Sequence, residues 1–330
     1  MREANVFSLV GDIGGTNTRI ALARGDRIDE DSVRRYANAE HPGLASVIER
    51  YMDEMGGVDC DGAAVAVAGP VRDGVGMLTN LDWTIDRPTL AKAARAERVS
   101  IMNDLQAQGQ ALGHIPADRC STLIEGPDHG PHAAKLVIGV GTGFNAAPVW
   151  EAEQGRLVPP SECGHVGLPV RTEADLRLAG FVESAHGFPA VEDVLSGRGV
   201  ERIYRWLGHE AGDIAERSAA DIVAAATDGG DPRAVEAAGV FVRLLGNVAG
   251  DLALTHLPFG GVWLVGGVAR AFKPWLGQAP FAEAFHDKGR FAGFMRNFGV
   301  GLIEDDYAAL TGLASFLAAE VAHGVVHPAD

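Results

Sequence analysis

Short apolar runs that end in glycine recur along this chain. The apolar stretch Val6–Val10 predicts a strand that enters a glycine-rich turn, and a second apolar stretch follows at Arg19–Ala23. Strand, glycine-rich turn and strand together are typical of a β-hairpin. Further strands are predicted at Ser32–Tyr36, Ala63–Val67, Val99–Met102, Leu136–Val140, Val262–Val265 and Val300–Ile303, and several of them end in glycines.

Other stretches carry apolar residues at helical spacing. A predicted helix over about 44–55 has one apolar face made of Leu44, Val47, Ile48 and Tyr51. A second helix, over about 241–256, contains Gly246 and Gly250, which would let a neighbouring element approach closely. Two more helices are predicted at Leu90–Ala96 and at about Tyr307–Val321.

The alternation of strands and helices predicts an α/β fold, in which ligands bind beyond the carboxyl ends of the strands. The length of 330 residues favours two lobes over a single core. We place the boundary near residue 105, which gives a small lobe over 1–105 and a large lobe over 106–305. The final helix, at about 306–330, is predicted to pack back on the small lobe.

Composition and charge narrow the choice of partners. A net charge of −16 repels nucleic acid and anionic lipid, so neither is an expected partner. Three widely spaced cysteines give neither a disulfide framework nor a zinc pattern, which fits a reducing compartment.

The start of the chain lacks the pattern of a signal peptide. No apolar run reaches the ~18 residues that span a bilayer, so we expect a cytoplasmic protein without a membrane partner.

The first motif that could bind a ligand is Gly11–Thr18. Its three glycines and Thr16 would leave N–H groups facing phosphate oxygens, and Asp12 could hold the water shell of Mg²⁺. A tight turn with a capped aspartate explains the same residues. A Walker A loop is excluded because no lysine of the chain follows a glycine. The dinucleotide fingerprint is excluded because a strand, and not a helix, follows.

Two later strands also end in glycines. Gly139–Gly143 repeats the combination of glycine and threonine, and together with the first turn it predicts two phosphate-binding turns, one from each lobe. Gly266 and Gly267 follow the strand Val262–Val265. A glycine pair there would let adenine or ribose lie against the backbone, and a simple turn at the start of a helix is the alternative.

Asn103 and Asp104 close the predicted strand Val99–Met102. A carboxylate at that position could accept the proton of an attacking hydroxyl group. The alternative is that Asp104 only caps a helix beginning at Leu105.

The segment Ser161–His165 contains Glu162 and His165 in a glycine-containing loop, where both could hydrogen-bond the hydroxyls of a polyol. A metal site is disfavoured because further ligands at suitable spacing are missing. A catalytic pair of Cys163 and His165 is disfavoured because such pairs are rarely neighbours in sequence. Glu192, judged by position alone, fits an exposed glutamate at a helix start, which the helix dipole favours.

Taken in order, these motifs resemble the bacterial glucokinase family, within the wider hexokinase–actin–Hsp70 ATPase fold. The resemblance runs almost from end to end. The residues that carry it are Gly11–Asn17, Asn103–Asp104, Gly141–Gly143, Glu162–Val166, Val194–Gly197, Gly260–Val262, Gly266–Gly267 and Asp287–Phe291. It implies a two-lobed ribonuclease H-like/actin-like ATPase fold, with the active site in the cleft between the small and the large lobe.

The resemblance also implies roles for individual residues. Asp104 resembles the general base that acts on the sugar 6-hydroxyl. The glucose ligands, by the same resemblance, are Asn103, Asp104, Glu162, His165 and Glu192. The implied ATP contacts are Gly14, Gly15, Thr16 and Asn17 in the first phosphate turn, Gly141 and Thr142 in the second, and Gly266 and Gly267 at the adenosine. Asp12 resembles the residue that holds Mg²⁺ through water, and the family is usually homodimeric.

The chain departs from the family pattern at two points. Cys163 stands where many members have glycine, which affects the expected geometry of the sugar loop. Phe144-Asn145 replaces small residues and is similar to the loop of eukaryotic hexokinases, which affects the expected fit around the phosphates. Neither departure removes a residue with an implied catalytic role.

We therefore expect an ATP-dependent glucokinase that forms glucose 6-phosphate for glycolysis. A kinase for mannose, fructose or an amino sugar is one alternative. A protein that binds ATP and sugar without turnover is a second. An ATPase with no need for sugar is a third, and the implied sugar ligands argue against it.

Overall fold

The computed structural model describes residues 7–78, 81–152 and 155–323. The strands are β1 (Phe7–Ile13), β2 (Asn17–Arg24), β3 (Arg27–Ile28), β4 (Arg34–Ala37), β5 (Cys60–Val67), β6 (Val71–Arg72), β7 (Val75–Met77), β8 (Thr84–Asp86), β9 (Arg98–Asn103), β10 (Cys120–Ile124), β11 (Lys135–Val140), β12 (Phe144–Ala152), β13 (Gly155–Leu157), β14 (Val262–Val265) and β15 (Val300–Ile303). The α-helices are α1 (Leu44–Glu54), α2 (Arg87–Ala94), α3 (Asp104–Ala111), α4 (Glu173–His186), α5 (Val191–Val194), α6 (Gly197–Glu210), α7 (Ala219–Asp228), α8 (Pro232–His256), α9 (Gly267–Ala271), α10 (Phe281–His286) and α11 (Ala308–His323). Val6 of the predicted first strand and residues 324–330 of the predicted final segment lie outside the described residues.

The chain folds into two compact units. The first comprises Met1–Pro116, Ala152–Pro160 and Asp305–Asp330, so it extends past the boundary predicted near residue 105. The second comprises Ala117–Glu151 and Ser161–Glu304.

The first unit is built on a sheet in the order β3-β2-β1-β5-β9, with β4 also paired to β2. Strands β1 and β2 form an antiparallel hairpin, whereas β1, β5 and β9 run parallel. The register aligns Ile13 with Val67 and Val67 with Asn103. The three parallel strands therefore end at the same level, and the segments that follow them leave from one edge of the sheet.

Alternating side chains of this sheet face two different helical layers. Leu9 and Ile13 pack with the apolar face of α1, which is the face predicted from its spacing. Val10 and the small side chains of β5 face α11. A Cβ on Gly312 of α11 would collide with the carbonyl oxygen of Ala107 in α3, so glycine is needed for this close packing. The final helix thus forms part of the core of the first unit.

The second unit repeats this topology. Its strands follow the order β10-β15-β14-β11-β12, with β11, β14 and β15 parallel and β11–β12 an antiparallel hairpin. The run β12-β11-β14-β15 therefore matches β2-β1-β5-β9 of the first unit. Val140 and Val265 end neighbouring parallel strands, and a glycine follows each. Each unit thus presents a hairpin turn at the carboxyl edge of its sheet.

Helix α8 is the longest helix among the described residues, and it begins nine residues before the predicted start. Asp231 caps it by accepting the Arg233 N–H, and Pro232 occupies its first turn. Although the sequence predicted no run of membrane-spanning length, α8 is long and apolar enough to cross a bilayer. However, 67% of its most apolar window is buried inside the protein, as expected of a core helix. As predicted, Gly246 and Gly250 allow a close approach, here by α10.

A buried ion pair links α4 and α8. Asp175 is 1% exposed, and its carboxylate accepts a hydrogen bond from Arg243 at 2.5 Å and one from the Arg171 N–H at 3.0 Å. Burial alone would raise the pKa of Asp175, but these hydrogen bonds outweigh it and hold the pKa below its ordinary value. The pair therefore stabilises the fold above about pH 4, where an unpaired aspartate is ionised, and this stability is lost as the pH falls through the depressed pKa.

We expect Arg243→Met to lower the free energy of unfolding by about 3 kcal/mol at pH 7, because it leaves a buried carboxylate without its cation. The deficit should shrink on acidification, since protonated Asp175 needs no cation. Denaturant unfolding at pH 7 and pH 3 measures both effects. Arg177→Met is the matched control, because Arg177 pairs with Glu210 on the surface and should contribute at most about 1 kcal/mol. Equal losses in the two variants would contradict the prediction.

Candidate active site

The turn between β1 and β2 is held by its own backbone and by one buried asparagine. The Gly14 N–H donates to the Asn17 carbonyl at 3.0 Å, so this N–H serves the turn itself. Within the described part of the chain, the N–H groups of Gly15 and Thr16 have no hydrogen-bond partner. The hydroxyl of Thr16 accepts a hydrogen bond from the Asn17 amide at 2.8 Å. The turn therefore presents two N–H groups to an external acceptor, as a phosphate-binding turn requires.

Asn38 braces this turn and was not identified from the sequence. It is 1% exposed, and its amide donates to the Gly14 carbonyl at 2.8 Å. Its side-chain oxygen accepts from the Thr18 hydroxyl at 2.8 Å, and its N–H donates to the Thr16 carbonyl at 2.9 Å. Twenty residues of sequence separate Asn38 from Thr18, so no local pattern indicated this contact.

Asp12 lies in β1, one residue before the end of the strand, and pairs across the hairpin with Arg19. The guanidinium lies 3.5 Å from the carboxylate, whose side chain is 21% exposed. Burial raises the pKa of Asp12, and the charge of Arg19 opposes this effect. Among the described residues, no group of three or more His, Cys, Asp or Glu side chains is placed to hold a metal ion.

The junction of β9 and α3 distinguishes the roles of Asn103 and Asp104. Asn103 is the N-cap of α3, since its side-chain oxygen accepts the Leu105 N–H at 2.9 Å and Gln106 accepts the Asn103 N–H at 3.1 Å. The Asn103 amide also donates to the Gly69 carbonyl at 3.1 Å. Asp104 is the first residue of the helix, with its carboxylate 2.8 Å from the Leu105 N–H. Asp104 therefore lies at the helix start, where the dipole favours an anion, and Asn103 is the N-cap.

The second hairpin turn, Gly141–Gly143, joins β11 to β12. The Gly141 N–H donates to the Gly143 carbonyl at 2.9 Å, and the Gly141 carbonyl accepts the Gly197 N–H at 2.9 Å. Thr142 is exposed. The motif Val194–Gly197 thus joins α6 to this turn, and Ser196 caps the helix by accepting the Gly199 N–H at 3.1 Å.

Glu192 lies beside this turn. It is the second residue of α5, as the helix-start interpretation predicted, but it is half-buried rather than exposed. Its carboxylate accepts the Phe144 N–H at 2.9 Å and lies 2.5 Å from the position that a Cβ on Gly143 would take. Glycine at this position is therefore what lets the carboxylate approach the turn.

A short 3-10 turn, Cys163–His165, lies next to Glu192; Glu162 precedes it and His165 is its last residue. Both side chains are exposed, whereas Gly164 between them is buried against the Phe144 carbonyl and the Glu192 side chain. The Val191 N–H donates to the Val166 carbonyl at 2.9 Å and fixes α5 against this segment. The fold of the second unit therefore places the segment that contains Glu162 and His165 against α5, which carries Glu192 beside the Gly141–Gly143 turn. Burial raises the pKa of the Cys163 thiol, which is the opposite of what a nucleophilic cysteine needs.

Gly266 and Gly267 lie where β14 gives way to α9. Gly266 has φ +104° and precedes the helix, and a Cβ there would collide with the Val140 carbonyl. Gly267 begins α9 and has open space where its Cβ would be. The helix-start interpretation of this pair is therefore correct, and the open face of Gly267 also leaves room for a flat group to approach the backbone.

Comparison with known proteins identifies the family to which this chain belongs. A sequence model described as Glucokinase matches residues 9–320. The glucokinase of Sinorhizobium medicae strain WSM419 is 35% identical over 316 residues, which cover 93% of this chain and 91% of that one. The crystal structure of a glucokinase from an Antarctic psychrotroph has a TM-score of 0.83 at 28% identity and covers 94% of this chain and 98% of that one. The glucokinase of Balamuthia mandrillaris, solved in complex with glucose, has a TM-score of 0.78 at 24% identity. The match covers 96% of this chain and 94% of that one.

Proposed function

Because the chain belongs to the glucokinase family and is an ATP-dependent hexose kinase, we propose that it transfers the γ-phosphoryl group of ATP to the 6-hydroxyl of D-glucose. The predicted α/β, actin-like ATPase fold is confirmed. The observation that carries the proposal is the group of Glu162, His165 and Glu192 beside the Gly141–Gly143 turn. It combines polar groups suited to a polyol with a glycine turn suited to a phosphate.

Asp104 is assigned as the general base. As the 6-oxygen of the sugar attacks the γ-phosphorus, its proton passes to the Asp104 carboxylate, and the bond from the γ-phosphorus to the bridging oxygen of ADP breaks. Asn103 is assigned to a sugar hydroxyl, since its amide retains one hydrogen beyond the bond to the Gly69 carbonyl. The remaining sugar hydroxyls are assigned to Glu162, His165 and Glu192. Sugars that have all of these hydroxyls would therefore bind best.

The nucleotide is assigned to glycine-rich backbone. Gly15 and Thr16 would donate their N–H groups to phosphate oxygens, with Gly14 and Asn17 holding the turn. Gly141 and Thr142 are assigned to the phosphates as well, and Gly266 and Gly267 to the adenosine.

Mg²⁺ fits Asp12, because the ion needs few protein carboxylates and keeps several waters beside substrate phosphates. When bound, the ion would neutralise charge on the transferred group. We also propose that the protein is a cytoplasmic homodimer, and its membership of the glucokinase family supports this proposal.

The proposal predicts ADP release from ATP and Mg²⁺ that depends on glucose. A coupled assay with glucose, mannose, fructose, glucosamine and 6-deoxyglucose tests it, and 6-deoxyglucose should give no turnover because it lacks the acceptor. Faster turnover with another hexose would move the assignment to that sugar. Glucose binding in calorimetry without any sugar phosphate formed would favour the non-catalytic binding protein.

The brace formed by Asn38 gives a second prediction. Asn38→Ala should lower the free energy of unfolding by about 2 kcal/mol, because it leaves the Thr18 hydroxyl and the Gly14 carbonyl unpaired. A looser turn should also raise the KM for ATP by about 3- to 10-fold, equal to about 1 kcal/mol of binding. Ser46→Ala, which removes a hydrogen bond to His41 in the same unit, is the control. An unchanged KM for ATP in Asn38→Ala would show that the turn does not need this brace.

A further inference from the structure

The first two residues of β12 connect the Gly141–Gly143 turn to the residues assigned to the sugar. The Phe144 N–H donates to Glu192, and the Phe144 carbonyl lies against Gly164. The next residue, Asn145, contacts the segment that contains Glu162. Phe144 and Asn145 are also where the sequence departs from the bacterial family pattern, and the assigned functions leave Asn145 without a role.

The Asn145 side chain is bonded to both ends of the segment Ser161–Cys163. Its oxygen accepts the Ser161 hydroxyl at 3.1 Å and the Cys163 N–H at 3.2 Å, and the Cys163 sulfur lies 3.5 Å away. Its amide donates to the Ser161 carbonyl. Glu162 lies between the two anchored residues, so this one side chain restricts the backbone on either side of it.

Cys163 contributes to the same set of contacts. Burial raises the pKa of its thiol, and its sulfur lies 3.5 Å from the Asn145 oxygen. The two departures from the family pattern, Cys163 and Asn145, are therefore in direct contact with each other.

We propose that Asn145 is a positioning residue, which holds the turn bearing Glu162 and His165 against the start of β12 and thereby sets the affinity for the sugar. This inference rests on the proposed glucokinase function of the same site. Asn145 acts through the turn, so its loss should weaken sugar binding and leave nucleotide binding largely unchanged.

Asn145→Ala tests the proposal against Asn297→Ala, which removes a local amide hydrogen bond to the Phe294 carbonyl elsewhere in the same unit. We expect Asn145→Ala to raise the KM for glucose by about 10- to 100-fold, because several hydrogen bonds to the turn are lost together. The KM for ATP should change by less than about 2-fold. Hydrogen exchange of the amides in 161–165 should accelerate in Asn145→Ala and not in Asn297→Ala.

Ser161→Ala is the milder variant if Asn145→Ala fails to fold. It removes one hydrogen bond to the Asn145 oxygen and should raise the KM for glucose by about 2- to 10-fold. A glucose KM within about 2-fold of the wild type in the folded variants, or an equal rise in the KM for ATP, would overturn the proposal. Unchanged exchange in 161–165 would overturn it as well. If wild-type protein does not phosphorylate glucose but exchange still accelerates in Asn145→Ala, the positioning role stands and the proposed function fails.

Discussion

Replacing Asp104 with asparagine is expected to lower kcat by about 10²- to 10⁴-fold, the usual contribution of a general base. The substitution keeps the size of the side chain and an oxygen that can accept the Leu105 N–H. The N-cap of α3 is untouched, because Asn103 supplies it. The variant should therefore fold normally and bind ATP with an unchanged KM, while the proton of the 6-hydroxyl has no acceptor.

Steady-state kinetics with glucose and ATP measure this effect. Asp86→Asn is the matched control, since Asp86 is the N-cap of α2 in the same unit and asparagine also serves as an N-cap. That variant should keep wild-type kcat. If Asp104→Asn retains more than about a tenth of wild-type kcat, Asp104 is not the base. If ADP release needs no sugar and is unchanged in the variant, the protein is an ATPase of the wider fold.

The parallel strands at the centre of each sheet could be predicted from the sequence. Buried strands such as Ala63–Val67 and Val262–Val265 are short apolar runs closed by glycine. The second run is β14 with the predicted bounds, and the first is part of β5, which begins three residues earlier. The first hairpin, and the position of the second glycine turn after β11, followed from glycines at the strand ends. Local patterns suffice here because the apolar run and the turn residue that ends it are neighbours in sequence.

Elements with a weak local signal were missed. Strand β12 contains Pro148, and proline and alanine are both uncommon in strands, so the stretch did not suggest one. Helix α8 begins at Pro232, before the apolar repeat on which its prediction was based, because Asp231 and Pro232 form a favourable helix start.

The candidate site was only partly predictable for a related reason. Glycines and carboxylates at strand ends are visible in the sequence, and together with the family resemblance they gave the assignments of Gly15, Thr16 and Asp104. Asn38 and Asn145 act through contacts with residues far away in sequence, and an isolated asparagine in a loop or strand does not indicate such a role. The sequence showed that Glu192 lies at a helix start, and such a glutamate is usually exposed. It is half-buried because the tertiary fold brings the Phe144 N–H to its carboxylate, and the sequence does not show that contact.

Gly266→Ala is expected to lower the free energy of unfolding by about 3 kcal/mol, because two costs combine at this residue. Its backbone, at φ +104° and ψ 161°, lies in a region that only glycine adopts readily. A Cβ would also collide with the carbonyl of Val140, the last residue of β11. Relief of that collision would separate β14 from β11 at the edge where both glycine-containing segments begin, so the KM for ATP should rise by at least about tenfold.

Gly267→Ala separates the two causes, since it changes the neighbouring glycine to the same residue. Its Cβ would enter open space, and its backbone is helical, so stability should stay within about 1 kcal/mol of the wild type or increase. If Gly267 lies against adenosine, as assigned, the added methyl group should still raise the KM for ATP. Thermal unfolding and ATP titrations of both variants distinguish these effects. Loss of ATP affinity in Gly266→Ala alone would mean that the pair shapes the sheet edge without contacting the nucleotide.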